Sequence, residues 1–383
     1  MSVTAPAGFR ASGVTAGFKP SGKPDLALVV NDGPAYAAAG VFTRNRVKAA
    51  PVLWSQQVVA DGTLRAVVLN SGVANACTGS RGFADTHETA ESVAGELGAS
   101  AADTAVCSTG LIGAYLPMDA MRGGVPDAVA ALSADGGPVA ADAIMTTDTH
   151  PKTAVASGDG YAVGGMAKGA GMLAPALATM LVVLTTDARA EPAVLDRVLR
   201  TAARSTFDRV DSDGCLSTND TVLLLASGAS GIEVGEQELA GRVTAVCADL
   251  ARQLIGDAEG ASKDVRIDVV RAKSEDDAVE VARAVARSNL VKCALHGEDP
   301  NWGRILAAAG TTEAAFDPAA LAVAINGVWV CRDGVPGDDR AKVDMTGREV
   351  VVTVDLGAGD EKAAVWTNDL TAAYVHENSA YST

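Results

Sequence analysis

Thr179 follows Ala178 in the stretch Lys168-Gly-Ala-Gly-Met-Leu-Ala-Pro-Ala-Leu-Ala178-Thr179-Met-Leu181. A peptide bond cut between those two residues would leave a hydroxyl and a free α-amine on one side chain and its own main chain. That pair can carry acyl transfer without a histidine: the hydroxyl attacks a carbonyl, and an amine of ordinary pKa about 7.7 to 8 takes its proton near neutral pH. The glycines at 169 and 171 permit close backbone approach, and Pro175 restricts the residue before it, so irregular main chain is expected ahead of the scissile bond. Gly169-Ala-Gly-Met-Leu-Ala174 also fits a G-x-G-x-x-A dinucleotide fingerprint. That fingerprint needs a helix opening at its second glycine, and Pro175 comes too soon for a clean first turn.

Acyl transfer also needs donors where the tetrahedral intermediate gathers negative charge. Cys107-Ser-Thr-Gly-Leu-Ile-Gly113 offers hydroxyls and glycine-permitted N–H groups, although the same letters describe a plain Ser/Thr/Gly turn. Other chemistries are poorly served. His87, His150, His296 and His376 lack zinc-helix spacing, and the six cysteines stand about thirty residues apart or more, so no metal site is expected and the thiols read as reduced core residues. A net charge of −16, from 31 Lys and Arg against 47 Asp and Glu, argues against nucleic acid as a partner. No apolar run reaches the roughly 20 residues that span a bilayer, and Met-Ser-Val-Thr-Ala-Pro-Ala-Gly-Phe-Arg10 is not a basic-then-apolar signal. A cytoplasmic protein without membrane contact is the expectation.

The elements that must hold these residues are readable from periodicity. Met180-Leu-Val-Val-Leu184 is a buried strand directly after the threonine, and Arg65–Leu69, Thr221–Leu225, Val265–Val269 and Val350–Val354 read as further strands. Leu239, Val243, Val246, Leu250 and Leu254 share one face of a helix ending at Gly256. Ser274 caps another that buries Ala278, Ala282 and Val285, and a third runs from about Pro192 to Arg204. Asn326-Gly327 between two apolar alternations predicts a tight hairpin, whereas Ser133 to Pro138 reads as a loop. The chain is therefore an α and β protein. With 48% hydrophobic but only 4% aromatic residues, its cores are built from small side chains.

Taken together, the segment around Ala178-Thr179, Gly8–Lys19, Gly40–Arg46, Asn70–Gly79 and the terminal Val375-His-Glu-Asn-Ser-Ala-Tyr-Ser-Thr383 resemble, over essentially the whole chain, the ornithine acetyltransferase family. These are the bifunctional glutamate N-acetyltransferases of arginine biosynthesis, whose precursors cut themselves at an Ala-Thr bond. The resemblance implies an α-β-β-α sandwich with a second α+β lobe, a boundary near residues 178 to 190, and two chains, 1–178 and 179–383, that stay together as a heterotetramer of two of each. It implies Thr179 as nucleophile and Thr109 with Gly110 as the oxyanion pair. Thr146, Lys168, Glu259, Asn378 and Thr383 match substrate positions. By charge, Glu259 suits the distal ammonium of N2-acetylornithine, and Lys168 its carboxylate or acetyl carbonyl. Glutamate is the implied acceptor, acetyl-CoA a further co-substrate of some members, and no resident cofactor is implied. The terminal segment is expected to dock. Ala174 and Leu177 depart from the family's usual residues without touching a catalytic group. Two other readings fit the same nucleophile or the same pocket: a self-processed aminopeptidase or amidase that releases the acyl group to water, and a non-enzymatic amino-acid-binding protein.

Overall fold

The unbroken apolar runs become strands buried on both faces, and the 3.6-residue periods become helices that cover them. The computed structural model describes residues 2–173 and 180–380. They divide into a first unit within Met1–Asp208 and Cys215–Asp257 and a second within Arg209–Gly214 and Ala258–Tyr381.

The first unit runs β1 (Phe9–Val14), β2 (Leu26–Asn31), β3 (Ala37–Phe42), α1 (Ala50–Val58), β4 (Ala66–Val73), α2 (Gly79–Leu97), β5 (Thr104–Leu111), α3 (Met118–Ala130) and α4 (Gly137–Ala143). It continues with β6 (Lys152–Ser157), β7 (Ala162–Lys168), β8 (Leu181–Thr186), α5 (Pro192–Ser205), β9 (Thr221–Ala226) and α6 (Glu236–Gly256). One sheet has the order β1-β2-β4-β5 and the other β3-β9-β8-β7-β6. Leu28, Val67 and Val106 of the first sheet share a core with Met166, Leu181, Val183, Leu223 and Leu225 of the second. The alternate residues of β7 and β8 face outward, where α6 lies so close that a β-carbon on Gly165 would come within 3.0 Å of Val246. With α1 and α2 against β5, α3 and α4 against β1 and β2, and α5 and α6 on the five-stranded sheet, the layers run helix, sheet, sheet, helix. That is the sandwich the family resemblance implies. β7 and β8, which flank the Ala178-Thr179 bond, are antiparallel neighbours with Lys168 opposite Leu181.

The second unit comprises β10 (Asp264–Ala272), α7 (Glu275–Arg287), α8 (Asn289–His296), α9 (Trp302–Ala309), β11 (Ala322–Ile325), β12 (Val328–Arg332), β13 (Val335–Pro336), β14 (Glu349–Asp355), β15 (Glu361–Asn368) and α10 (Ala372–Ala380). Its sheet order is β13-β12-β11-β14-β10-β15. The Asn326-Gly327 turn has φ of 46° and 82°, as a two-residue hairpin of this twist requires. The Ser274 hydroxyl caps α7 by accepting the Asp277 N–H at 3.1 Å.

Two sequence expectations need correction. Gly137 and Pro138 open α4 instead of lying in a loop, since proline costs nothing in a first helical turn, and Ser133 exchanges main-chain hydrogen bonds of 3.0 Å with Ala11. Of the six free cysteines only Cys107, Cys247 and Cys331 are buried, while Cys77, Cys215 and Cys293 are exposed. No helix among the described residues is long and apolar enough to cross a membrane. None opens at Gly171, whose surroundings are bends.

Candidate active site

β5 carries Thr109 and Gly110 near its C-terminal end and lies parallel to β4, which sets Thr109 opposite Ser71 and Gly110 opposite Gly72. Both glycines have positive φ, 117° at Gly72 and 122° at Gly110. A β-carbon on Gly110 would fall 2.3 Å from the Gly72 carbonyl carbon, so only glycine fits. The ladder shifts here, with Val73 opposite both Thr109 and Leu111. A bulge of this kind takes a residue out of regular pairing and redirects its main chain. The buried Thr109 hydroxyl accepts a 3.2 Å hydrogen bond from Nζ of Lys168, the last residue of β7. A hydroxyl that accepts from an ammonium keeps its own O–H free to donate, and the adjacent charge favours a developing oxyanion.

Lys168 is only 2% exposed, and a buried ammonium needs compensation. A buried array supplies it. Asp148 Oδ1 accepts the Gly169 N–H and the Lys152 Nζ, each at 2.6 Å, and its Oδ2 accepts the Thr146 N–H at 3.0 Å. Lys152 also donates to Asp257 Oδ2 at 2.6 Å, and Asp257 accepts the main-chain N–H of Thr149 at 3.0 Å. Burial acts to raise the Asp148 carboxyl, but the charges of Lys168 and Lys152 and the hydrogen bonds outweigh it and hold it down at about 2. Four residues nominated by the sequence, Thr109, Gly110, Thr146 and Lys168, are thus joined, Thr146 through its main chain.

In the second unit, Glu259 accepts a 2.9 Å hydrogen bond from Asn378 Nδ2 on α10. The terminal segment docks as a helix: the Thr371 hydroxyl donates to the Gly260 carbonyl at 2.6 Å and accepts the Tyr374 N–H at 2.9 Å. A β-carbon on Gly260 would lie 2.2 Å from the Tyr374 nitrogen. Glu259 also lines a cavity of about 270 Å³ shared with Arg287, Lys292, Asn368, Asp369 and Tyr374. Burial lowers the Lys292 ammonium to about 8 despite the acids Asp211, Asp213 and Asp369.

Ala178, Thr179 and Thr383 lie outside the described residues. The sequence reading passed over Asp148, Lys152 and Asp257. Only the i,i+4 step from Asp148 to Lys152 is visible locally; Asp257 stands 105 residues from Lys152.

A buried ammonium on a threonine hydroxyl, beside a glycine bulge, is equipment for acyl transfer. The sequence pattern of the ArgJ family matches residues 10–383. The arginine biosynthesis bifunctional protein ArgJ 1 of Streptomyces clavuligerus is 67% identical over 100% of both chains. That of Mycobacterium tuberculosis, the arginine biosynthesis bifunctional protein ArgJ, is 59% identical over 99% of this chain and 96% of its own. A solved structure of ornithine acetyltransferase complexed with ornithine, also from Mycobacterium tuberculosis, is 60% identical over 47% of this chain and 96% of that one, with a TM-score of 0.45. The chain belongs to the ArgJ family.

Proposed function

We infer that this chain is a glutamate N-acetyltransferase of arginine biosynthesis, moving acetyl from N2-acetylornithine to glutamate. The observation that carries the reading, within this family, is the hydrogen bond from buried Lys168 to Thr109. In the proposed sequence the Thr179 hydroxyl attacks the acetyl carbonyl and passes its proton to its own α-amine. Thr109 O–H and Gly110 N–H receive the oxyanion, and Lys168 biases Thr109 toward donation, which favours the acetyl carbonyl over the carboxylate as the end of the substrate that Lys168 serves. Collapse breaks the C–N bond, and ornithine leaves with the proton on its amine. The glutamate amine then attacks the acetyl ester, and Thr179 regains its proton as N-acetylglutamate departs. Glu259 and Asn378 serve the distal ammonium, with Thr146 and Thr383 as further contacts.

The same reading has the precursor cutting itself at Ala178-Thr179 into chains 1–178 and 179–383. The antiparallel pairing of β7 with β8 supports their staying together, since one sheet would draw strands from both. Two of each chain form the assembly, acetyl-CoA is a second acetyl donor, no resident cofactor takes part, and the enzyme works in the cytoplasm. Intact-mass measurement of the purified protein, followed by an acetyl-transfer assay between ornithine and glutamate, tests this. Wild type should give two chains and activity, and Thr179→Ala one chain and none. Cleavage persisting in Thr179→Ala would remove Thr179 from the role, and release of acetyl to water in preference to glutamate would favour a hydrolase.

A further inference from the structure

Two adjacent side chains outside the residues assigned above tie the oxyanion strand to the strand that follows the scissile bond. The approach to β9, Ser217-Thr-Asn-Asp220, is buried throughout. Asn219 Nδ2 donates to the carbonyls of Ala74 at 2.7 Å and Ser108 at 2.8 Å, the second being the residue before Thr109. Fully buried Asp220 accepts the Met180 N–H on Oδ1 at 3.1 Å. On the other side of the same residue, the Thr221 N–H donates to the Met180 carbonyl at 3.2 Å. Met180 is therefore gripped at both main-chain groups by the two residues that follow the one holding the β5 end. Asp220 Oδ2 has no hydrogen-bond partner among the described residues. A buried carboxylate oxygen left this way is costly, and a neutral acid much less so. Burial raises the Asp220 carboxyl well above the ordinary range, beyond what the Met180 N–H, the neighbouring Ser217 and Thr43 hydroxyls and the Lys168 charge take back.

We propose that Asn219 and Asp220 are positioning residues that hold the Thr109–Gly110 strand end and the Met180 main chain in one frame. The proposal rests on Thr179 as nucleophile, because the Met180 nitrogen is bonded to the Thr179 carbonyl carbon. Asp220 does this work uncharged. An ionised carboxylate hydrogen-bonded to the Met180 nitrogen would stabilise the ammonium form of an α-amine one residue earlier in the chain and so remove the base.

The test compares Asp220→Ala with Asp220→Asn in the full chain, reading self-cleavage and the rate at which N-acetylornithine alone acetylates the 179–383 chain. Alanine removes the acceptor for the Met180 N–H, whereas asparagine keeps an uncharged carbonyl oxygen there. Asp220→Ala should slow both steps by at least about tenfold at saturating N-acetylornithine, with the half-saturating concentration within about twofold of wild type. Asp220→Asn should recover most of that loss and keep the acidic limb of the pH–rate profile in place. Wild-type rates in Asp220→Ala would overturn the proposal. So would a folded Asp220→Asn as slow as alanine, or one whose acidic limb moves to lower pH, as loss of an ionised carboxylate near the amine would cause. If circular dichroism shows that the alanine chain does not fold, the asparagine variant's rate and pH limb decide alone. A wild-type chain that neither cuts at 178–179 nor gains acetyl would bring down the nucleophile reading and this proposal with it. Normal wild type with unaffected Asp220→Ala brings down only the proposal.

Discussion

The two clusters of candidate site residues are built on opposite principles. In the first unit Lys152, Lys168, Asp148 and Asp257 are all at most 9% exposed; Lys152 is hydrogen-bonded to both carboxylates, and the Lys168 charge also acts on Asp148. In the second, Glu259 and Asn378 meet at the surface, one of them on a terminal helix with no buried residue. A buried, mutually compensated array cannot rearrange cheaply, so it suits charge that must already be in place when a transition state forms. An exposed carboxylate on an amide donor can exchange partners at small cost, which suits recognition of an ammonium that comes and goes. On the proposed function, the contrast separates chemistry from selection.

Substitutions can break or sharpen that contrast. Lys168→Met keeps the length of the side chain but leaves Thr109 without its ammonium, and kcat/KM for acetyl transfer should fall by about 100-fold or more, in line with removing an oxyanion stabiliser. A loss confined to KM would move Lys168 from the chemistry to substrate binding. The next effect is on stability. Because the folded Asp148 carboxyl is held at about 2, below its unfolded value of 3.8, it contributes stability that is present above the unfolded pKa and lost as pH falls through the folded one. The shift corresponds to about 2 kcal/mol. Denaturant unfolding from pH 5 to pH 2 should show wild type losing more stability than Asp148→Asn by that amount, and parallel curves would deny the linkage.

The smallest effect belongs to the exposed pair. Glu259→Gln should lower kcat/KM for N2-acetylornithine by at least about tenfold, while leaving an N-acetyl amino acid of equal length without the distal ammonium nearly untouched. Equal losses on both substrates would place Glu259 in the chemistry or the fold, and would erase the division of labour between the two clusters.

Local patterns announced much of this molecule. The Asn326-Gly327 hairpin, the Ser274 cap, the buried face of α6 and the strand after Thr179 follow from two-residue and 3.6-residue periods, which are short-range physics. Thr109, Gly110, Lys168, Glu259 and Asn378 were nominated by resemblance to a family, and for them the structure adds partners. What no period or short motif encodes is the long-range pairing: Lys152 with Asp257, Asn219 with Ser108, Met180 with Asp220. Those contacts join segments 105, 111 and 40 residues apart. Tertiary pairing of three kinds brings them together: β8 beside β9 for Met180 and Asp220, α6 packed on β6 for Lys152 and Asp257, and the stacking of the two sheets for Asn219 and Ser108. The misreading of Ser133 to Pro138 has the same origin, since Gly-Pro signals a turn and a first helical turn alike.

The central claim is that acetyl rests on Thr179 between donor and acceptor. Purified, processed enzyme incubated with N2-acetylornithine alone and analysed by intact-mass spectrometry tests it directly. The account predicts one acetyl group added to the 179–383 chain, none on the 1–178 chain, and loss of the adduct when glutamate is added, with N-acetylglutamate appearing in equal amount. An unmodified 179–383 chain under turnover conditions, with double-reciprocal plots that intersect instead of running parallel, would contradict it and point to direct transfer between the two amino acids.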